Sequence, residues 1–122
     1  MTKFLTLKDA VRVTKRLGFY VKDAGLLEGA LARPQTSLFG QEAYPEFELK
    51  VAAMMHSIIK NHPMIDGNKR TAWSLSVIFM FMNGLKHNFT EDEAYDLVLG
   101  VAMDKYDIAE AAKIIRMHLV KR

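Results

Sequence analysis

The chain has 122 residues, half of them apolar, with 17 basic against 14 acidic side chains for a formal net charge of +3, and no cysteine. That size and composition suit one domain, residues 1–122, around one hydrophobic core, and the missing thiols exclude disulfides and thiolate metal sites. The small basic excess is spread along the chain with no basic run interleaved with aromatics, which argues against a nucleic-acid groove.

The opening Met1-Thr2-Lys3-Phe4-Leu5-Thr6 has no extended apolar segment of the signal-peptide kind, so a cytoplasmic location is the expectation. Thr6-Leu7-Lys8-Asp9 has the form of a capping box, opening a first helix that carries Val11, Val13 and Leu17 and stops at Gly18. A short second helix starts near Asp23, contains Leu26, Leu27 and Leu31, and ends before Pro34, because the residue preceding a proline avoids helical angles. From Pro34 to Tyr44 no helical period survives and Gly40 permits a turn, which makes this long connector a candidate lid or docking segment, with a surface loop pinned by Leu38 and Phe39 as the alternative. Pro45 at a first helical position, with Glu46 and Glu48 in the first turn, begins a third helix running to about Asn61.

The segment Thr71 to Met82 is apolar on nearly every face, the pattern of a helix enclosed by others and hence the central element. It falls well short of the roughly 20 residues a membrane span needs. Asn83-Gly84 caps it. Thr90-Glu91-Asp92-Glu93 is a second capping box, opening a helix through Leu97 and Val101, and a last helix runs from about Ile108 to Leu119. Period-2 alternation is nearly absent, so the expected fold is all-α: a compact single-domain bundle of about six helices.

Between the third and fourth helices stands His62-Pro63-Met64-Ile65-Asp66-Gly67-Asn68-Lys69-Arg70. A helix beginning near Gly67 or Asn68 leaves its first backbone N–H groups without intrahelical partners, and these, with the positive helix end, form an anion cradle. Gly67 lets the backbone approach a phosphate, and Lys69 and Arg70 add charge. His62 at the mouth could take a proton from an attacking hydroxyl. Asp66 could hold Mg²⁺, which needs only one or two carboxylates alongside water and phosphate oxygens. The bland alternative has His62-Pro63 ending one helix, Asp66 and Asn68 capping the next, and the two cations in water. His56, His87 and His118 receive structural readings, the last two as surface residues. Trp73 is either core or the wall of an adenine pocket, with core favoured.

The nine residues, extended through Thr71-Ala72, resemble the signature of the Fic/Doc family in its death-on-curing (Doc) branch. Phe4-Leu5-Thr6-Leu7, the run Gly25-Leu26-Leu27-Glu28-Gly29-Ala30-Leu31-Ala32-Arg33-Pro34-Gln35 and the acidic helix after Gly84 resemble that branch too, so the likeness covers nearly the whole chain. Met64 departs from the family's frequent phenylalanine, and methionine can fill the same space. The larger, nucleotidyl-transferring branch usually has glycine at Lys69 and an arginine at Trp73.

The resemblance implies a helical fold whose motif loop binds ATP or another nucleoside triphosphate with Mg²⁺, and transfers part of it to a protein hydroxyl; it also implies that the segment around residues 34–44 is a flap that aligns the target polypeptide. By position His62 is the base, Asp66 the metal ligand, Gly67 and Asn68 part of the phosphate cradle, and Lys69 and Arg70 phosphate-binding cations. The Doc-like residues imply transfer of the terminal phosphoryl group, with AMP transfer as the alternative. An inactive module that binds a protein or operator DNA is the alternative of another class.

Self-inhibited members of the family carry a Ser/Thr-x-x-x-Glu-Gly/Asn helix that no segment here matches, so restraint must come from outside. The implied partner is the antitoxin of a toxin–antitoxin pair, and the implied target belongs to the translation machinery, an elongation factor foremost. Nucleic acid would enter only through an antitoxin complex.

Overall fold

The computed structural model describes residues 1–122. Six α-helices carry the fold: α1 (Leu7–Leu17), α2 (Ala24–Ala32), α3 (Phe47–Asn61), α4 (Asn68–Met82), α5 (Glu91–Ala102) and α6 (Ile108–His118). Two small antiparallel pairs accompany them: β1 (Ser37–Leu38) with β2 (Gln41–Glu42), and β3 (Leu85–His87) with β4 (Leu119–Lys121). No helix is long and apolar enough to cross a membrane.

Side-chain caps set the helix starts. Thr6 and Asp9 form a reciprocal capping box at α1, Thr90 and Glu93 another at α5, and Asp107 with Glu110 a third at α6. Each satisfies two backbone donors that a helix N-terminus otherwise leaves open. Asp23 caps α2 by accepting from the Leu26 N–H. Gly18, at φ 83°, closes α1 in the left-handed region. The expected start of α3 is displaced: Pro45 lies outside the helix, Glu46 is the N-cap residue in extended conformation, and Phe47 is the first helical residue.

The enclosed helix is α3, not α4. Nine of its residues are buried, from Lys50 to Ile59, and it packs against α2, α4, α5 and α6. The apolar character of α4 had suggested the reverse, but Phe81 is exposed and Trp73, Val77 and Ile78 are only half-buried. On that side α1 lays Ala10 and Thr14 inward and leaves Val11 and Leu17 exposed, and an open groove between α1 and α4 is lined by Leu17, Trp73, Val77 and Ile78. All six helices contribute to one hydrophobic cluster, in which Phe79 meets Phe4 and Phe47 at ring-centroid distances of 5.9 and 4.9 Å.

The pair β3–β4, which period-2 alternation did not announce, ties the residues after α4 to the C-terminal end. It brings His87 and His118 to either side of Phe89, so neither is the surface residue expected. The Phe89 and His118 rings stack at 4.0 Å, and Trp73 meets His87 at 5.0 Å and Phe89 at 5.5 Å. Burial first, and then the nearby His118, hold the His87 imidazole below its usual value, favouring its neutral form.

The capping boxes give the fold an acid-sensitive component. Hydrogen bonds from Thr6 hold the Asp9 carboxyl below its ordinary 3.8, and those from Thr90 hold Glu93 below 4.5. A carboxylate depressed by folding contributes stability that is complete above its unfolded value and is lost as pH falls through its folded value. Thermal unfolding followed by circular dichroism between pH 6 and 2.5 is expected to show falling stability below about pH 4.5. The Thr6→Ala/Thr90→Ala variant should lose part of that dependence; a curve of unchanged steepness would count against the caps as its source.

Candidate active site

The motif lies between α3 and α4 as a tight loop with a left-handed residue at each end. His62 ends α3 at φ 51°, ψ 59°, its N–H donating to the Ile58 carbonyl, and Gly67 precedes α4 at φ 75°, ψ 28°. A left-handed non-glycine residue costs roughly 1–2 kcal/mol, and histidine is among the side chains enriched there. The turn aims the chain back toward α3 and leaves the His62 side chain exposed, with no hydrogen bond from its ring to the rest of the chain.

The middle of the loop is anchored from within and from the side. Met64 is 1% exposed and belongs to the core, the place a phenylalanine would fill. Asn68 grips the same residue from the first turn of α4: its Oδ1 accepts from the Met64 N–H at 2.9 Å and its Nδ2 donates to the Met64 carbonyl at 3.2 Å. The segment between α1 and α2 runs alongside. Val21 and Met64 form an antiparallel bridge, the Ile65 N–H donates to the Tyr20 carbonyl, and the Pro63 carbonyl accepts from both Lys22 and Asp23.

At the start of α4 the backbone N–H groups of Asn68, Lys69 and Arg70 have no partner in the chain; the first intrahelical bond runs from the Thr71 N–H to the Gly67 carbonyl. Asp66 is exposed, and its Oδ1 accepts from the Gly67 N–H at 2.8 Å. That turn leaves the second carboxylate oxygen free.

His62, Asp66, Gly67, Asn68, Lys69 and Arg70 line one cleft of about 520 Å³, walled by Phe19, Ile59, Lys60, Ile65 and Ala102. All six candidate positions from the sequence therefore share one cavity, with three cationic side chains and one carboxylate. Open amides, a helix N-terminus and cations facing one space suit a polyphosphate. A carboxylate with a free oxygen at the edge suits a hard divalent cation that keeps much of its water shell.

Two residues are placed otherwise than the sequence suggested. The side of Gly67 where a Cβ would stand is filled by the Phe19 ring. Glycine is thus required for contact with the segment after α1 as well as for the left-handed turn. The Asn68 side chain is spent on Met64, so only its backbone faces the cradle. Trp73 is not among the residues lining the cleft, nor is His56. The Nδ1 of His56 is buried without a partner, and burial, followed by the charges of Arg33 and Lys60, keeps its pKa low. Two residues that sequence reasoning passed over are Lys60, bonded to Asp104 at 2.6 Å, and Phe19. An apolar residue one step past a helix-ending glycine was the available signal for Phe19.

The sequence model of the Fic/DOC family matches residues 4–80. The chain belongs to the Fic/Doc family. It is 44% identical over 118 residues to a protein named Toxin Doc from Mycolicibacterium smegmatis (strain ATCC 700084 / mc(2)155), covering 92% of this chain and 90% of the relative. It is 28% identical over 96 residues to Protein kinase doc of Escherichia phage P1, covering 79% and 75% of the two chains. The family match runs from before α1 to near the end of α4 and includes every residue lining the cleft except Ala102, the last residue of α5.

The Phe19–Gly67 contact gives a measurable expectation. Gly67→Ala should destabilise the chain by about 2–5 kcal/mol, combining the left-handed penalty of ~1–2 with overpacking of ~1–3. Urea unfolding of Gly67→Ala alone and in a Phe19→Ala background separates the two contributions. An equal loss in both backgrounds would show that the ring is not what the new methyl meets.

Proposed function

We propose that this protein is a Doc-like toxin of a toxin–antitoxin pair that transfers the terminal phosphoryl group of ATP, or of another nucleoside triphosphate, to a hydroxyl of a target protein. The observation that carries the reading is the convergence on one cleft of an unbonded imidazole and an open helix N-terminus flanked by Lys69 and Arg70. The names of the two relatives, a Doc toxin and a phage protein kinase, support both halves of it.

The chain's residues would act as follows. The amides of Asn68, Lys69 and Arg70 and the two cationic side chains bind phosphate oxygens and stabilise the charge that builds on them during transfer. His62 accepts the proton of the target hydroxyl at a ring nitrogen as that oxygen bonds to the terminal phosphorus. The bond from that phosphorus to the bridging oxygen breaks, and its electron pair leaves with the nucleoside diphosphate. Asp66 is the residue to hold Mg²⁺, which supplies charge neutralisation to the phosphates. Since no residue of the chain holds the His62 ring, its productive orientation comes from the bound substrates.

The Lys69 side chain stands where the nucleotidyl-transferring branch has glycine, and its bulk and charge favour a different seat for the phosphates. Phosphoryl transfer is mostly positioning and charge stabilisation, so such a shift is enough to change which phosphorus is attacked. The expected partners are a cognate antitoxin and a target in the translation machinery, foremost an elongation factor.

Incubation with γ-labelled ATP and a bacterial elongation factor should label the factor. His62→Asn, which suits the left-handed backbone and removes the base, is expected to slow transfer by roughly 10²–10⁴-fold. Label from the α position instead would reassign the reaction to AMP transfer. Growth arrest by His62→Asn as complete as by the unmodified chain would point to a binding module without catalysis.

A further inference from the structure

The first turn of α4 has a second side. Lys69 and Arg70 line the cleft that holds His62, and they also line a groove of about 460 Å³ between α4 and α5. Helical spacing builds this groove. Trp73 lies four residues beyond Lys69 and three beyond Arg70, so the three share one face of α4, and Glu91, Tyr95 and Val98 repeat the spacing on the facing side of α5. Val98 belongs to the core cluster and gives the groove an apolar floor.

Two aromatic side chains here are not spent on the core. Tyr95 is 63% exposed. Trp73 is half-buried, its indole steeply inclined to the rings of His87 and Phe89, contacts that fix it without covering it. A rigid, half-covered indole beside an exposed phenol is a stacking platform for a flat ring. The phosphate cleft has no equivalent, since its one aromatic, Phe19, is pressed against Gly67. The groove's volume falls within the roughly 300–1,000 Å³ usual for small-molecule sites.

We infer that the groove between α4 and α5 is the nucleoside subsite of the triphosphate, where the base stacks on Trp73 and Tyr95 and Glu91 accepts from its N–H groups or from the ribose hydroxyls. The occupant follows from continuity. Lys69 and Arg70 face both cavities, so a ligand that is anionic at one end and planar at the other bridges them. Along the helix axis Lys69 and Trp73 are only about 6 Å apart, at 1.5 Å per residue. This subsite rests on the nucleotide reading of the cleft above, and it accounts for a tryptophan left half-open beside two cations.

Trp73 is the only tryptophan of the chain, so its fluorescence reports on the groove alone. With Mg²⁺ present, ATP should quench that emission in a saturable way. Inorganic tripolyphosphate, which fills the phosphate cleft without a base, should leave the emission nearly unchanged and displace bound ATP. Calorimetric titration of Tyr95→Ala, a change at an exposed position, should show the Kd for ATP raised at least about fivefold by the loss of one stacking surface, with the Kd for tripolyphosphate held within about twofold. Tyr95→Phe keeps the ring and should keep the ATP affinity. Bound ATP that alters the emission no more than tripolyphosphate does, or an ATP affinity in Tyr95→Ala that is unchanged or falls in parallel with that for tripolyphosphate, overturns the subsite alone. Failure of both ligands to bind the unmodified chain removes the phosphate reading of the cleft, and the subsite with it.

Discussion

The bond between the segment after α1 and the loop before α4 is the constraint on which the candidate site depends. The loop makes two left-handed turns, at His62 and Gly67, and a free peptide would not keep them. It keeps them because Pro63 and Met64 are paired to residues 20–23, Met64 is sunk in the core, and Asn68 closes the turn by bonding both backbone groups of Met64. The amides of α4 and the imidazole of His62 come from different elements. They open on the same cleft because the chain between them has no freedom left.

That arrangement divides labour within the motif. Its polar surface, His62, Asp66, Lys69 and Arg70, is exposed. Pro63 and Met64 are buried, and the Asn68 side chain and the Cβ side of Gly67 are committed to the protein itself. The motif is therefore as much a folding instruction as a chemical one. Substitutions at its inward positions act through stability, those at its outward positions through chemistry.

Much of this was legible in the sequence because it is local. The capping boxes at Thr6 and Thr90, the helix stops at Gly18 and Asn83-Gly84, and the amphipathic runs specify their own conformations within a few residues. Three features were not legible because they are contacts between distant parts of the chain. Whether α3 or α4 is enclosed depends on which of them the other helices surround, and nothing in either apolar run decides it. The β3–β4 pair joins strands of three residues whose partner is more than 30 positions away, too short for alternation to show. Lys50 sits in a run of apolar residues and reads as a surface interruption, yet it is buried, and only its partners Glu42 and Tyr44 reveal why. In the site, the identity of the residues was readable, but the use of Asn68 and Gly67 for packing required the position of Phe19 and the Met64 backbone.

The left-handed turn at His62 also makes α3 a measuring rod. Each residue added to or removed from a helix rotates everything beyond it by about 100° and shifts it by 1.5 Å. The same helix bears Lys50, paired to Glu42 of β2, near its start, and His62 at its very end. Insertions between β1 and β2 would lengthen only a surface turn. A single insertion inside α3 would swing the imidazole away from the cleft while the hairpin stayed put, so across related chains the stretch from Lys50 to His62 should hold constant length even where the connector before it varies.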